Sequence, residues 1–303
     1  MQTRHPLSPR FGILWRKRNE SLRYWCDHSD GVEFMWMSAD GQTFGEQPIV
    51  DGNLKFTTQW INQAHSFAAK VTVDPTTNLQ NKSYSLIFYL SFQDTNSFFQ
   101  SAKFTNFGAI SEVFGTFSQL GKFSTTFSLT TENGISQAFL ADTPFVEMAT
   151  VKNFLERFQS CDSESNCKFT NTSTLPFSNL FAVQVDFTKP ISALFQFKID
   201  SDPNMPDFDT TLTERKLKFN QKFDQVFPIN ATDVAAQFKD MGKAALSNML
   251  GSISYWHGYS NATGSCLPKD QTVEYGPLDL IAGEPSRPDF PRGFLWDDGF
   301  HNL

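Results

Sequence analysis

Asp-Gly pairs recur at Asp30-Gly31, Asp40-Gly41 and Asp51-Gly52, at intervals of ten and eleven residues. Glycine supplies the positive φ that tight hairpin turns require, so a chain punctuated this way is committed to short strands. Apolar runs such as Phe34-Met35-Trp36-Met37 fill the intervals. After the third turn, Leu54, Phe56, Thr58 and Trp60 fall on one face, the period-two mark of a half-buried strand. Phe67 to Val73 repeats the pattern. Ser83 to Phe92 is apolar enough for a central strand, and Lys122 to Leu129, Phe181 to Thr188 and Ser192 to Ile199 read as further strands. Many short strands with turn signals predict a β-sandwich. The 33 phenylalanines among 303 residues supply its core. In strands, such residues are more often core than a platform for sugars.

One segment breaks the strand pattern. Between Val146 and Phe158, the residues Val146, Met148, Val151, Phe154, Leu155 and Phe158 lie near helical spacing, which predicts one helix on the sandwich. The character of the chain changes at Ser201–Asp207, a linker composition. Thr211-Leu-Thr-Glu214 then matches a capping box. Behind it Leu212, Phe219, Phe223, Val226 and Phe227 mark a helix face that Pro228 ends. A second helix runs from Thr232 to about Trp256, and Gly258 to Pro291 reads as loop. Strands followed by helices indicate two domains rather than alternating βα units. The fold class is mainly β, with a sandwich over 1–200, a linker helix over 201–230 and the start of a helical domain over 231–303.

The formal net charge of −7 argues against nucleic acid, whose phosphates need clustered Lys and Arg. The one basic cluster, Arg16, Lys17, Arg18 and Arg23, reads as a solvated edge. No stretch approaches the ~20 apolar residues of a membrane span. Phe11–Trp15 is shorter than the ~7–15 residue core of a signal peptide, so no targeting segment is legible in the chain. Five Asn-x-Ser/Thr sequons, at Asn19, Asn81, Asn171, Asn230 and Asn261, nevertheless lean toward a lumenal protein. The cysteines are Cys26, Cys161, Cys167 and Cys266. Cys161 and Cys167 flank a short polar loop that a disulfide can close in an oxidising compartment; free thiols are the alternative. Four cysteines allow three pairings, and the spacing does not choose among them. No CxxC or HxxxH spacing suggests zinc, and no cofactor motif is present.

The last dozen residues carry the chemistry. Arg292, Trp296, Asp297, Asp298 and His301 crowd together. Carboxylates accept hydrogen bonds from sugar hydroxyls, and aromatic faces stack on a pyranose. A helix N-terminus with favourably placed acids is the competing reading. Asp297 and Asp298 cannot both serve as the acid and base of an inverting glycosidase. Such carboxyls stand about 6.5–9.5 Å apart across the bond being cut. Neighbours on a helix point about 100° apart and cannot flank a sugar.

Phe290-Pro-Arg-Gly-Phe-Leu-Trp-Asp-Asp-Gly-Phe-His301 resembles the Phe-Pro-Arg-Gly-Phe-x-Trp-Asp-Glu-Gly-Phe-His signature of the processing α-glucosidase I family, glycoside hydrolase family sixty-three. Asp298 stands where the family has Glu. Asp40–Thr58 resembles the family's Asp-Gly-x-x-Phe-Gly-x-Gln and Asp-Gly-x-Leu-x-x-Thr-Thr segments. Ala244–Tyr255 resembles the helix leading into its catalytic domain. The resemblance implies an N-terminal sandwich followed by the first helices of an incomplete (α/α)6 toroid. It implies trimming, with inversion, of the terminal α-1,2-linked glucose of the N-glycan precursor in the endoplasmic reticulum. The partner it implies is the glucosylated N-glycan of nascent glycoproteins. It makes Phe290, Arg292, Phe294, Trp296, Asp297 and Asp298 substrate contacts. It places the catalytic acid and base further along the toroid, and a membrane anchor upstream in the full-length protein. The chain alone is then expected to be inactive and truncated at both ends. A non-catalytic sandwich that binds carbohydrate or protein is the alternative.

Overall fold

A computed structural model describes residues 9–24, 28–77, 79, 83–104, 110–129, 134–143, 148–162, 167–170, 177–228, 233–263, 268, 271–285, 293–294, 296–297 and 299. Its strands are β1 (Arg10–Lys17), β2 (Val32–Phe34), β3 (Ser38–Ala39), β4 (Phe44–Asp51), β5 (Leu54–Gln63), β6 (Ser66–Val73), β7 (Tyr84–Ser91), β8 (Phe98–Phe104) and β9 (Ile110–Phe117). They continue with β10 (Gly121–Leu129), β11 (Gly134–Ala141), β12 (Gln159–Cys161), β13 (Cys167–Phe169), β14 (Leu180–Phe187), β15 (Ser192–Ile199), β16 (Ile253–Ala262) and β17 (Val273–Gly283). Three helices are α1 (Met148–Arg157), α2 (Phe208–Val226) and α3 (Asp233–Ser252). The chain divides into two compact units, Met1–Met35 with Thr43–Leu217, and Trp36–Gln42 with Lys218–Leu303.

The first unit is mainly β. Its smaller sheet has the order β1-β7-β14-β11, and eight strands of the larger run β2-β4-β5-β6-β15-β10-β9-β8. Strand β7 explains the arrangement. It pairs with β1 on one side and β14 on the other, and all its residues are buried. A continuous apolar run suits such a strand, because alternate side chains must enter two different cores. Leu86, Phe88 and Leu90 enter the core between the sheets, with Phe11 and Trp15 from β1, Val183 from β14, and Phe56, Phe195 and Phe197 from the larger sheet. Ile87 and Tyr89 enter a second core on the outer face, with Leu14 of β1, Leu180 and Ala182 of β14, and Val151 and Leu155 of α1. The period of two thus builds a sandwich with a helix on its back. Gly115 is required where β8 and β9 meet, since an added Cβ would lie 2.3 Å from the Phe98 carbonyl oxygen and 2.5 Å from the Phe123 ring.

Most predicted strands form near their expected places, and several expectations need correction. Burial in β5 alternates from Leu54 to Thr58, then shifts so that Ile61 is buried and Trp60 only half-buried. Asp51-Gly52 makes a two-residue hairpin: Asp51 pairs with Leu54, and Gly52 takes φ 58° in the turn. Asp40-Gly41 lies in the turn between β3 and β4, where Asp40 Oδ1 accepts from the Gln42 N–H at 2.9 Å. Asp30-Gly31 closes a 3-10 turn. The run Phe34–Met37 is strand only to Phe34, and Met35 and Met37 are exposed.

The basic cluster is not a uniformly solvated edge. Arg16 is 8% exposed and donates to Gln159 Oε1 at 3.1 Å. Gln159 donates to Gln184 at 2.6 Å, Gln184 to the Cys167 carbonyl at 2.7 Å and to Asp186 at 2.8 Å, and Ser85 to Asp186 at 2.6 Å. Burial pushes the Arg16 guanidinium below its ordinary value, and the charges of Asp186 and Glu156 push back. The chain of partners satisfies a polar seam that would otherwise be costly to bury.

This seam ends at the β12–β13 hairpin, where a disulfide joins Cys161 to Cys167 across a separation of six residues. A hairpin of three-residue strands is marginal without help, and closing so short a loop restricts the unfolded chain by about 2 kcal/mol. Replacing both cysteines with Ser is expected to lower stability by about that amount. Urea melts with and without reductant measure it, and the double variant should lose the response to reductant.

The loop after β15 is fastened by Asp202, which accepts from the His65 N–H at 2.8 Å, from Ser66 Oγ at 2.6 Å and pairs with His65 Nδ1 at 3.2 Å. Burial pushes the Asp202 carboxyl up, but the hydrogen bonds from Ser66 and His65 together outweigh it, and the net shift is downward. A carboxyl depressed in the folded state stabilises the fold above its unfolded value of about 3.9. That contribution is lost as pH falls through the lower folded value. Asp202→Asn is therefore expected to melt lower than the parent at neutral pH, with a gap that narrows below about pH 4. Thermal melts across that range measure it.

Helix α2 begins before the expected capping box. Asp207 is the cap, its Oδ1 accepting from the Thr210 N–H at 2.9 Å. Within the first unit Lys216 pairs with Glu46 at 2.7 Å, and Arg215 donates to the Asn62 carbonyl at 2.9 Å and to that of Thr43. In the second unit Lys239 of α3 pairs with Asp224 of α2 at 2.7 Å. The Ala39 N–H donates to Ser247 Oγ at 3.0 Å. Helix α3 stops at Ser252, four residues short of the predicted end, because Ile253-Ser-Tyr-Trp-His257 enters a strand. The stretch read as loop contains β17, which pairs with β16 in a long hairpin. The described helices do not by themselves form a toroid. None of them is long and apolar enough to cross a membrane.

Candidate functional site

The signature supplies few described side chains. Phe290, Arg292, Asp298 and His301 lie outside the described residues. Phe294 and Asp297 are half-buried, and Trp296 is 76% exposed. Trp296, Asp297 and Gly299 are helical. The Asp297 carboxylate, one residue from Trp296, offers acceptors for hydroxyl groups.

A second group is not legible in the sequence, where Tyr255 falls at the end of the expected second helix and Asp279 in the stretch read as loop. Tyr255, His257 and Tyr259 alternate along β16, and Asp279 of β17 stands in register opposite His257. The Tyr255 hydroxyl and His257 Nδ1 both engage Asp279 Oδ1, the latter at 2.8 Å. The Tyr255 and His257 rings stack at 6.5 Å. Hydrogen bonds from Tyr255 and then His257 draw the Asp279 carboxyl below its ordinary value, and the same bond to Asp279 raises the Tyr255 phenol. Asp279 is therefore an ionised acceptor at neutral pH, suited to orient an imidazole and unsuited to act as a general acid. The i, i+2 aromatic spacing from Tyr255 to Tyr259 is the signal that could have revealed it.

Among the described residues no three His, Cys, Asp or Glu side chains gather as a metal site. Asn19 is exposed in a turn at φ 70°, and Asn261 is exposed on β16. Asn81, Asn171 and Asn230 lie outside the described residues, as do Cys26 and Cys266.

Two family descriptions match the two ends of the chain. Residues 1–154 match the N-terminal domain of glycosyl hydrolase family 63. Residues 204–303 match the C-terminal domain of the same family, which contains the signature. The chain belongs to glycosyl hydrolase family 63. It is 25% identical to alpha-glucosidase 2 of Arabidopsis thaliana, an alignment covering 100% of this chain and 42% of the relative. It is also 25% identical to a mannosyl-oligosaccharide glucosidase of that plant, covering 100% of this chain and 39% of the relative. A mannosyl-oligosaccharide glucosidase of Saccharomyces cerevisiae is 32% identical over 28% of this chain and 12% of its own length. The chain thus spans about two fifths of the plant relatives it matches.

Proposed function

We propose that this chain is the scaffold and first substrate-binding part of a processing glucosidase. The enzyme removes the terminal α-1,2-linked glucose from the N-glycan precursor, with inversion, in the endoplasmic reticulum. The observation that carries this reading is the signature at 290–301, placed within the match to the family's C-terminal domain. In it Phe290, Arg292, Phe294, Trp296, Asp297 and Asp298 contact the terminal glucose. Trp296 stacks on the sugar, Asp297 accepts from its hydroxyls, and Asp298 reaches less far than the family's Glu. Residues 1–200 form the sandwich domain, 201–230 a linker helix, and 231–303 the beginning of the helical catalytic domain.

The helical part is the start of an (α/α)6 toroid. Phe238, Met241 and Met249 of α3 and Tyr255, Leu278, Leu280 and Ile281 of the hairpin are exposed. Single exposed apolar residues are ordinary, but so many on one short stretch suit burial by further helices. Asn19 and Asn261 carry glycans in the lumen, and a membrane anchor belongs to the full-length enzyme.

Asp297 and Asp298 cannot together supply the catalytic pair, because neighbours on a helix cannot flank a glycosidic bond, and the family resemblance puts the acid and base further along the toroid. The purified 303-residue chain, incubated with a triglucosylated N-glycan, is expected to release no glucose. Appreciable turnover would show that both carboxyls are already present and would refute this assignment.

A further inference from the structure

At one end of the sandwich, within the first unit, lies a hollow of about 270 Å³. Phe11, Phe67, Phe117 and Phe197 form its walls, and Asn62, His65 and Gln119 are the polar side chains at its rim. It shares no residue with the signature or with the β16–β17 hairpin. We infer that this hollow is a binding site for a small, ring-shaped apolar molecule bearing one hydrogen-bonding group at its edge, of the phenol type.

Size comes first. A dry apolar cavity of about 150 Å³ holds benzene, so this hollow takes one ring with a substituent and not an oligosaccharide. Lining comes second. Four phenylalanines offer faces and edges for a ring, geometry that contributes beyond area burial alone. The polar inventory comes third and separates a phenol from a sugar. A pyranose would bring several hydroxyls, each needing a partner once out of water. Ser66 also lines the hollow, but its hydroxyl already donates to Asp202 and accepts from the Ile199 N–H at 3.0 Å. Beyond the four phenylalanines and the rim, the lining is Pro9, Ala64 and Leu120.

His65 is the group placed to read the ligand's edge. Asp202 holds both its backbone N–H and its Nδ1, at 2.8 and 3.2 Å. That fixes the ring before binding and leaves Nε2 as its other hydrogen-bonding atom. An imidazole oriented in advance loses little freedom when it meets a hydroxyl. His65 is thus the specificity-determining residue of the hollow, and Asp202 positions it.

The full chain is titrated with p-cresol, toluene and methyl α-glucopyranoside, with binding read by calorimetry and ligand-observed NMR. Saturable p-cresol binding about tenfold tighter than toluene is expected, the contribution of one hydrogen bond. His65→Phe keeps an aromatic ring and should bring the two ligands within about twofold of each other. Gln119→Trp, at an exposed turn, should fill the mouth and abolish binding of both while leaving the melting temperature unchanged. The inference is overturned if p-cresol shows no saturable binding at millimolar concentration. It is equally overturned if methyl α-glucopyranoside binds more tightly than p-cresol, or if folded His65→Phe and Gln119→Trp both bind as the parent does. None of these outcomes bears on glucose release, so the glucosidase reading stands or falls separately.

Discussion

Phe195→Ala is expected to destabilise the sandwich by about 3–5 kcal/mol, the range for deleting a fully buried phenylalanine from a packed core. Phe195 is 0% exposed and lies where the sheets meet. Its ring is 4.6 Å from that of Phe11 in β1, 6.5 Å from Phe88 in β7, 6.3 Å from Phe181 in β14 and 6.4 Å from Phe67 in β6. Three of these neighbours belong to the smaller sheet and one to the larger, so truncation leaves a cavity that neither sheet can close alone. The melting temperature should fall on the order of 10 °C. Met35→Ala removes a residue that is 49% exposed and should change it little. A Phe195→Ala melt within a degree or two of the parent would mean that the sheets do not share this core.

Trp296→Ala should do the opposite. At 76% exposure the side chain contributes little to the fold, so its loss should leave the melting temperature unchanged. In an enzyme completed by a catalytic toroid it should lower glucose release on the order of a hundredfold, the cost of mispositioning a sugar by about an ångström. Asp297→Asn keeps the shape, weakens the acceptor and should fall in the same direction. Equal kcat/KM for the parent and both variants would remove these residues from the subsite.

How far the fold was legible follows from what each signal measures. The apolar run of β7 was readable because two buried faces leave no polar alternation, and β10, β14 and β15 lie where their patterns put them. The Asp-Gly pairs were less informative than their spacing suggested. The dipeptide fixes a local φ and does not set the length of the loop around it, so of the three pairs only Asp51-Gly52 became a two-residue hairpin. Arg16 was misread because charge alone is a surface signal, and its partners Gln159, Gln184 and Asp186 are distant in sequence. The β16–β17 hairpin was missed because β17 is exposed over most of its length and the partly covered face of β16 carries Ser254, Trp256 and Gly258 rather than an apolar set, so the alternation there is not one of hydrophobicity. The subsite was legible only as a signature. Three of its six proposed contacts, Phe290, Arg292 and Asp298, lie outside the described residues.

The central claim is that this chain supplies a working first part of a processing glucosidase. It is tested most directly by joining residues 1–303 to the portion of the Arabidopsis mannosyl-oligosaccharide glucosidase that follows its matching signature. Glucose release from a triglucosylated N-glycan is then followed by proton NMR. The account predicts release of one glucose, appearing first as the β-anomer, and its loss in Trp296→Ala. A chimera that is monodisperse and cooperatively folded yet releases no glucose, or releases the α-anomer first, would contradict it.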